Sequence, residues 1–500
     1  MKVVLFLFLL TFTVRSLFLM TEGVSFHYDM SRDAFLVQEI IQGDPKIQGP
    51  PTSTPGLYHG VAYYYLLVPG YLLGGGDPKI ASVWLLLINS TAVIPIYLLS
   101  KGLLRNKFWA TIAGILFATS FQATQYGPWL SNPSPVLVTS AWFFYSLWLW
   151  QKGHRLGLPL ACFWAALSCQ FQLFMLYLFI LIPIFGCLFK INVPNKKTLI
   201  ISAMVTAVVL STFVMSAVKF NSFNQTVQGF NFISETKNLE WRPMFIPQFI
   251  NYLNKLADTF IYNLLPTNVF LGGLLGFLIV YLNKSQPFII FTLLSSLIIF
   301  LFGGHNSNYA NIGLISSVII ATTFVLKSFK SKSGLLFFVT VSVILYSNIT
   351  TIISQNPKGQ TLLVIPDDMN LKNQLALIDK TYQIADGGPF YINNITVPLW
   401  TNTTWAYLYS WYGKDKYGYL PIFYGPNQIN LLGDGVLERT DQPLSISFLI
   451  IEPPEGIPSQ ILAKELEIEN YKTKLINEEI FGSIKLQVRF PVSSTALLNY

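Results

Sequence analysis

Long apolar runs alternate with short polar breaks over the first two-thirds of the chain. A membrane-crossing helix needs about 20 predominantly apolar residues. Runs of that kind fall near 3–20, 81–100, 108–124, 135–150, 157–170, 173–189, 198–218, 268–283, 287–302, 310–326 and 334–347, which predicts eleven spans. The pair 157–170 and 173–189 comes from one apolar stretch cut near Gln170 and Gln172. The first run starts at Lys2 like a signal peptide. It is long, however, Arg15 interrupts it and no small-residue cleavage site follows, so it reads as an uncleaved span. Residues 56–73 (GLYHGVAYYYLLVPGYLL) are also apolar enough to cross. A span there would invert every later connection, so the segment is expected to lie in the interface with its tyrosines at headgroup level.

Beyond Asn348 the periodicity becomes that of a small α/β domain. Residues 361–366 and 445–451 read as buried strands. Leu371–Ala385 reads as an amphipathic helix, with Leu375, Ile378, Tyr382 and Ala385 at helical spacing, and 400–412 as a second helix. Asn224, Asn348, Asn394 and Asn402 satisfy the glycosylation pattern, a match that chance explains in a chain so rich in Asn.

Composition supports a membrane protein: 52% of residues are hydrophobic and 11% charged, against about 25% charged in ordinary soluble domains. The three cysteines lie in apolar runs, which speaks against a disulfide framework or a cysteine metal site. No basic cluster suited to nucleic acid is present. The net charge of +8 is unevenly spread: residues 1–354 hold 21 Lys/Arg and nine Asp/Glu, residues 355–500 hold 11 and 15. Lys101/Arg105/Lys107, Lys152/Arg155, Lys190/Lys196/Lys197, Lys284 and Lys327/Lys330/Lys332 occupy alternate connections free of acids. Cytoplasmic loops are rich in Lys and Arg, so these connections are assigned to the inside. The expected architecture is then mainly α: a polytopic protein of the cytoplasmic (plasma) membrane with about eleven transmembrane helices and its N-terminus inside. Residues 1–354 form the membrane domain, with outer loops 21–80 and 220–267, and residues 355–500 an extracytoplasmic α/β domain.

All nine acids of the membrane part fall outside, five of them within residues 22–44. The densest group is Phe26-His27-Tyr28-Asp29-Met30-Ser31-Arg32-Asp33. Two carboxylates four residues apart share one helical face, with Arg32 and His27 beside them. This arrangement suits a general base next to cationic groups that hold a phosphate. Helix capping by Asp is the plainer alternative.

These residues resemble the GT-C superfamily of membrane glycosyltransferases, which use lipid-phosphate sugars. The likeness is to the protein O-mannosyltransferase and aminoarabinose-transferase branch, particularly its bacterial members. It rests on Tyr28-Asp29-x-x-Arg32-Asp33, on Gly49-Pro50-Pro51-Thr52-Ser53-Thr54-Pro55-Gly56-Leu57-Tyr58-His59-Gly60, and on Ala62-Tyr63-Tyr64-Tyr65-Leu66. Residues 126–135 (YGPWLSNPSP) and 408–420 (LYSWYGKDKYGYL) add to it. The Asp-Glu pair commoner in that group is missing, because Met30 follows Asp29, and this leaves the base open between Asp29 and Asp33. Asp-x-Asp is missing too, so a divalent metal has no support and no cofactor is expected. Asp367-Asp368 reads as a helix cap.

The resemblance implies an inverting glycosyltransferase that moves a sugar from a polyprenyl-phosphate donor to a lipid, glycan or protein acceptor at the outer face. An Asp takes the acceptor proton, and cations hold the phosphate. The candidates are Asp29 and Asp33 for catalysis and Arg32, His59 and Arg242 for the donor phosphate, with Lys46 a further outer cation. Tyr28, Tyr126, Trp129 and Asn132 are candidates for lining the substrate. His305 and Tyr309 end a span on the outer side. A polytopic transporter or lipid-linked sugar flippase is the alternative, but it calls for ionisable residues at mid-membrane depth, where Arg15 alone stands out. A non-catalytic scaffold would leave the clustered acids unexplained.

Overall fold

The computed structural model describes all residues except 20–22, 230–244, 302–307, 364, 367 and 493–500. Arg242, His305 and Asp367 therefore lie outside the described residues. The chain is mostly helical and divides into two compact units. One comprises Met1–Phe18, Pro45–Leu67 and Val83–Ser354; the other comprises Leu19–Asp44, Val68–Ser82 and Gln355–Tyr500.

The first unit is a helical bundle. Asn308–Lys332 runs through its interior, packed against Phe245–Leu264, Val136–Gln151 and Lys107–Ala118. Gly157–Phe171 packs on Val136–Gln151 and on Lys196–Lys219. Only Ser202 and Ser216 of Lys196–Lys219 are buried, and its face away from Gly157–Phe171 exposes apolar side chains, as suits a lipid-facing surface. Asparagines start several helices at the polar breaks. Asn106 accepts from Phe108 N at 2.8 Å, Asn195 from Thr198 N at 2.8 Å and Asn268 from Leu271 N at 3.0 Å. Each satisfies a backbone donor that the helix itself leaves open.

The expected count of eleven spans is corrected. Among the described residues four helices are long and apolar enough to cross a membrane: Pro78–Leu104, Lys196–Lys219, Asn311–Lys332 and Gly334–Lys358. Phe249–Leu264 and Val269–Leu282, bent by 106°, make a fifth if they are taken as one span. Lys107–Ala118, Gly157–Phe171 and Leu173–Leu188 are shorter apolar helices. Some runs give helices longer than expected, such as Asn308–Lys332, whereas others are broken by polar residues into helices too short to span. At Gln172 the backbone becomes extended (φ −146°, ψ 110°). The expected interfacial segment forms the helix Ala62–Leu73, too short to span. Of its tyrosines Tyr65 is exposed, while Tyr63, Tyr64 and Tyr71 are buried.

The second unit is built on a five-stranded sheet: β1 Tyr391–Ile395, β2 Ile422–Phe423, β3 Ser447–Ile451, β4 Thr473–Phe481 and β5 Ile484–Pro491. Their order is β2-β1-β3-β5-β4, with β1 parallel to β2 and β3, and β5 antiparallel to β3 and β4. β3 (SFLII) is buried throughout, as a central strand of mixed neighbours should be. The β4–β5 turn is Gly482-Ser483, and Gly482 takes φ +61°, the left-handed conformation that two-residue hairpins require. Leu371–Ala385 forms as expected. Its cap is Asn370, which accepts from Asn373 N at 3.1 Å, so the Asp367-Asp368 cap is corrected. The strand expected at 361–366 is absent: its described residues are turn and coil, and Leu363 N bonds back to Gln360 O. The helix expected at 400–412 begins at Thr403, runs to Leu408 and widens into a π turn over Tyr409–Gly413.

Most of the expected outer loop 21–80 also belongs to this unit, within Leu19–Asp44 and Val68–Ser82. Ser25 bridges to Asn370, Leu371 N donates to Val24 O at 2.8 Å and Gln374 Nε2 to Phe26 O at 2.8 Å. The helix Tyr28–Ile41 packs on Thr403–Leu408. Phe35 meets Tyr407 edge to face at 5.1 Å, and the Tyr407 hydroxyl donates to Gly76 O at 2.6 Å.

Candidate functional site

The helix Tyr28–Ile41 places its acids at its first turns. Its buried face is Met30, Ser31, Arg32, Asp33, Ala34 and Val37, and Asp29 lies just off that face. The side chain of Asp29 is 54% exposed, whereas those of Arg32 and Asp33 are 10% and 3% exposed. Arg32 joins the two acids. Its Nη1 donates to Asp29 Oδ1 at 2.7 Å, and its Nε and Nη2 both donate to Asp33 Oδ1, at 2.8 and 2.7 Å. A buried guanidinium thus sits between a buried carboxylate and an open one. The three side chains carry one net negative charge, favoured by the positive end of the helix dipole. Capping does not explain Asp29. The cap residue is His27, which makes no side-chain cap bond.

The surroundings are enclosed and polar. Burial lowers the His27 imidazole below its ordinary value, with Asp29 opposing the fall and Arg32 adding to it. The ring's Nε2 is buried without a hydrogen-bond partner. Burial raises the Tyr28 phenol, and Arg32, 5.9 Å from the ring centre, opposes the rise. Tyr71 is pushed well up by burial, then by Tyr407, Asp33 and Asp77. Tyr71, Asp77 and Tyr407 thus belong to the same neighbourhood, and sequence reasoning missed them. In the sequence Tyr71 belongs to the expected interfacial segment and Tyr407 to the expected helix 400–412, and Asp77 is only one of the nine acids of the membrane part. Among the described residues no three of His, Cys, Asp and Glu converge as metal ligands.

The other candidates lie in the first unit. Residues 49–60 fold back on themselves: His59 N donates to Pro50 O at 2.8 Å and Thr52 N to Leu57 O at 3.0 Å. His59 is buried, and its Nδ1 accepts the Leu173 N–H at 3.1 Å, so the proton resides on Nε2. Asn132 Nδ2 donates to Phe171 O at 2.7 Å. Both side chains therefore converge on the break at 171–173. Gln170 braces it, donating to Val209 O at 2.7 Å and to Thr212 Oγ1 at 2.8 Å. The absence of a Cβ at Gly60 makes room for the Gln170 side chain. Gln170 was visible in the sequence only as an interruption of an apolar run. Tyr126 and Trp129 are buried, with Trp129 stacked on Tyr309 at 6.0 Å. The structure thus brings Tyr28, Asp29, Arg32 and Asp33 together in one unit. It holds His59, Tyr126, Trp129 and Asn132, and also Lys46, in the other.

The fold is similar to that of a solved archaeal oligosaccharyltransferase. The archaeal oligosaccharyltransferase AglB from Archaeoglobus fulgidus, in complex with an inhibitory peptide and a dolichol-phosphate, matches with a TM-score of 0.50 at 12% identity, over 84% of this chain and 64% of that one. The apo form of the Archaeoglobus fulgidus oligosaccharyltransferase gives 0.48 at 12% identity, over 81% and 63%. ArnT from Cupriavidus metallidurans bound to undecaprenyl phosphate gives 0.48 at 10% identity, over 97% of each chain. This chain therefore spans less than two thirds of the archaeal enzyme. No protein-family model and no curated protein matches it.

Proposed function

We propose that the protein is an inverting glycosyltransferase of the cytoplasmic membrane that takes a sugar from a polyprenyl-phosphate donor, with Asp29 as general base. The observation that carries this reading is the contrast between the two acids. Asp33 is enclosed and committed to Arg32, whereas Asp29 offers Oδ2 to the outside. The acceptor hydroxyl gives its proton to Asp29 as its oxygen bonds to the anomeric carbon. The phosphate oxygen leaves from the opposite face with the bonding pair, as a stable anion that needs no strong acid. Arg32 orients Asp29 through Nη1, three of its five N–H groups serving the two carboxylates, and it stays a proposed phosphate contact. His59 and Arg242 are the other proposed phosphate contacts. The likeness of fold to an oligosaccharyltransferase in complex with an inhibitory peptide and a dolichol-phosphate supports the donor class. The N-terminus is proposed to lie inside and residues 355–500 outside.

The test is transfer of label from a radiolabelled polyprenyl-phosphate sugar to acceptor lipids, glycans or peptides by the purified full-length protein. Labelled product with an inverted anomeric centre is expected. Binding of the donor without transfer to any acceptor class would overturn the reading.

A further inference from the structure

The loop after β1 holds a tryptophan in an unfavourable place. Trp400 is 51% exposed and has φ +61°, the left-handed conformation that bulky residues rarely adopt. The loop is bound tightly enough to hold it there. Gln428 donates to Trp400 O at 2.9 Å and accepts from Asn402 N at 2.7 Å. Thr396 Oγ1 donates to the carbonyls of Pro398 and Thr401, both at 2.8 Å, and Val397 N donates to the buried Glu452 at 3.0 Å. Local strain of this kind persists only where surrounding bonds over-determine it, and it clusters at binding sites.

Trp400 borders a cavity of about 340 Å³ over the carboxyl end of β1, flanked by the helix Ser459–Lys472. Asn393, Asn394, Arg439, Glu465 and Lys472 also line it. Asn394 is 4% exposed, and its Oδ1 is buried without a hydrogen-bond partner. Glu465 and Lys472, one behind the other on the same helical face, are half-buried, and their side chains make no hydrogen bond or ion pair among the described residues. Glu469, at the floor, is already committed: it accepts from Asn393 Nδ2 at 2.8 Å and Tyr424 OH at 2.7 Å, with Arg489 3.6 Å away. Two acids and two bases line the cavity, which favours a neutral ligand over an anion.

We propose that this cavity binds a carbohydrate unit: one sugar ring stacks its C–H face on Trp400 while its hydroxyls bond Asn394, Glu465 and Lys472. The volume lies at the small end of ligand sites and suits one or two rings. The inference goes beyond the transfer chemistry, since none of these residues belongs to the Asp29 cluster, and binding can be read with no donor present.

The test is saturation-transfer NMR and calorimetry on the full-length protein with methyl glycosides of glucose, galactose, mannose and N-acetylglucosamine. At least one should bind in the millimolar range. Trp400→Ala should weaken it roughly tenfold or more, and Trp400→Phe should restore most of the affinity. Tyr471→Ala, on an exposed ring of the same helix outside the cavity, should leave binding unchanged. Trp400 is half exposed, so its replacement should leave the melting temperature intact. The proposal is overturned if no glycoside binds, if Trp400→Ala binds as well as wild type, or if tryptophan-rich peptides occupy the cavity while glycosides do not.

Discussion

Arg32 donates from both Nε and Nη2 to a single oxygen, Oδ1 of Asp33, at 2.8 and 2.7 Å. The pair is almost fully enclosed, so removing Asp33 leaves a buried guanidinium without the carboxylate that takes its Nε and Nη2 bonds. Asp33→Ala should therefore destabilise the second unit by about 3 kcal/mol, measured by denaturant unfolding in detergent. Arg32→Lys keeps the charge but loses the planar fork. It should fold and bind donor while turnover falls, because Asp29 is no longer oriented. Unaltered turnover in Arg32→Lys would remove that positioning role.

The spacing of Asp29, Arg32 and Asp33 was enough to place them on one helical face, but not to separate their roles. That separation comes from burial by partners far along the chain. Ser25 pairs with Asn370 and Phe35 with Tyr407, and no local pattern announces such contacts. The same limit governs the sheet. β3 was legible because a run of five buried residues needs no alternation. β1 (YINNI) hides two asparagines whose partners are supplied by the fold, Glu469 for Asn393 and Asn402 for Asn394. β4 (TKLINEEIF) is mostly exposed, so little apolar periodicity marks it. Residues 361–366 misled for the opposite reason: a short apolar run that ends at a proline resembles a buried strand whether or not a neighbouring strand exists.

Glu452 makes the stability of the second unit depend on pH. Burial pushes its carboxyl up to about 7 from an ordinary 4.5, partly offset by bonds from Val397 N and Trp405 Nε1. Between those values the folded state binds more protons than the unfolded state, so stability falls as pH rises from 4.5 through about 7 and is flat above. The loss is on the order of 3 kcal/mol. Melting curves across that range should show the fall, and Glu452→Gln should abolish it. A variant that kept the wild-type slope would place the titrating group elsewhere.

Orientation is open to chemical labelling. Cys187 is exposed and must first be replaced. Single cysteines at Asn224 and Ser331, both exposed, should then divide: an impermeant thiol reagent applied to intact cells should label Asn224→Cys and spare Ser331→Cys. The reverse pattern would invert the proposed topology.

The most direct measurement is the turnover of Asp29→Asn with a polyprenyl-phosphate sugar under conditions where donor binding is measured separately. Asp29 is largely exposed and Asn keeps its shape, so the variant should fold and bind donor as wild type does. Without a base to take the acceptor proton, transfer should fall by ~10²-fold or more. Turnover comparable to wild type, with donor binding intact, would contradict the assignment of Asp29 as the base.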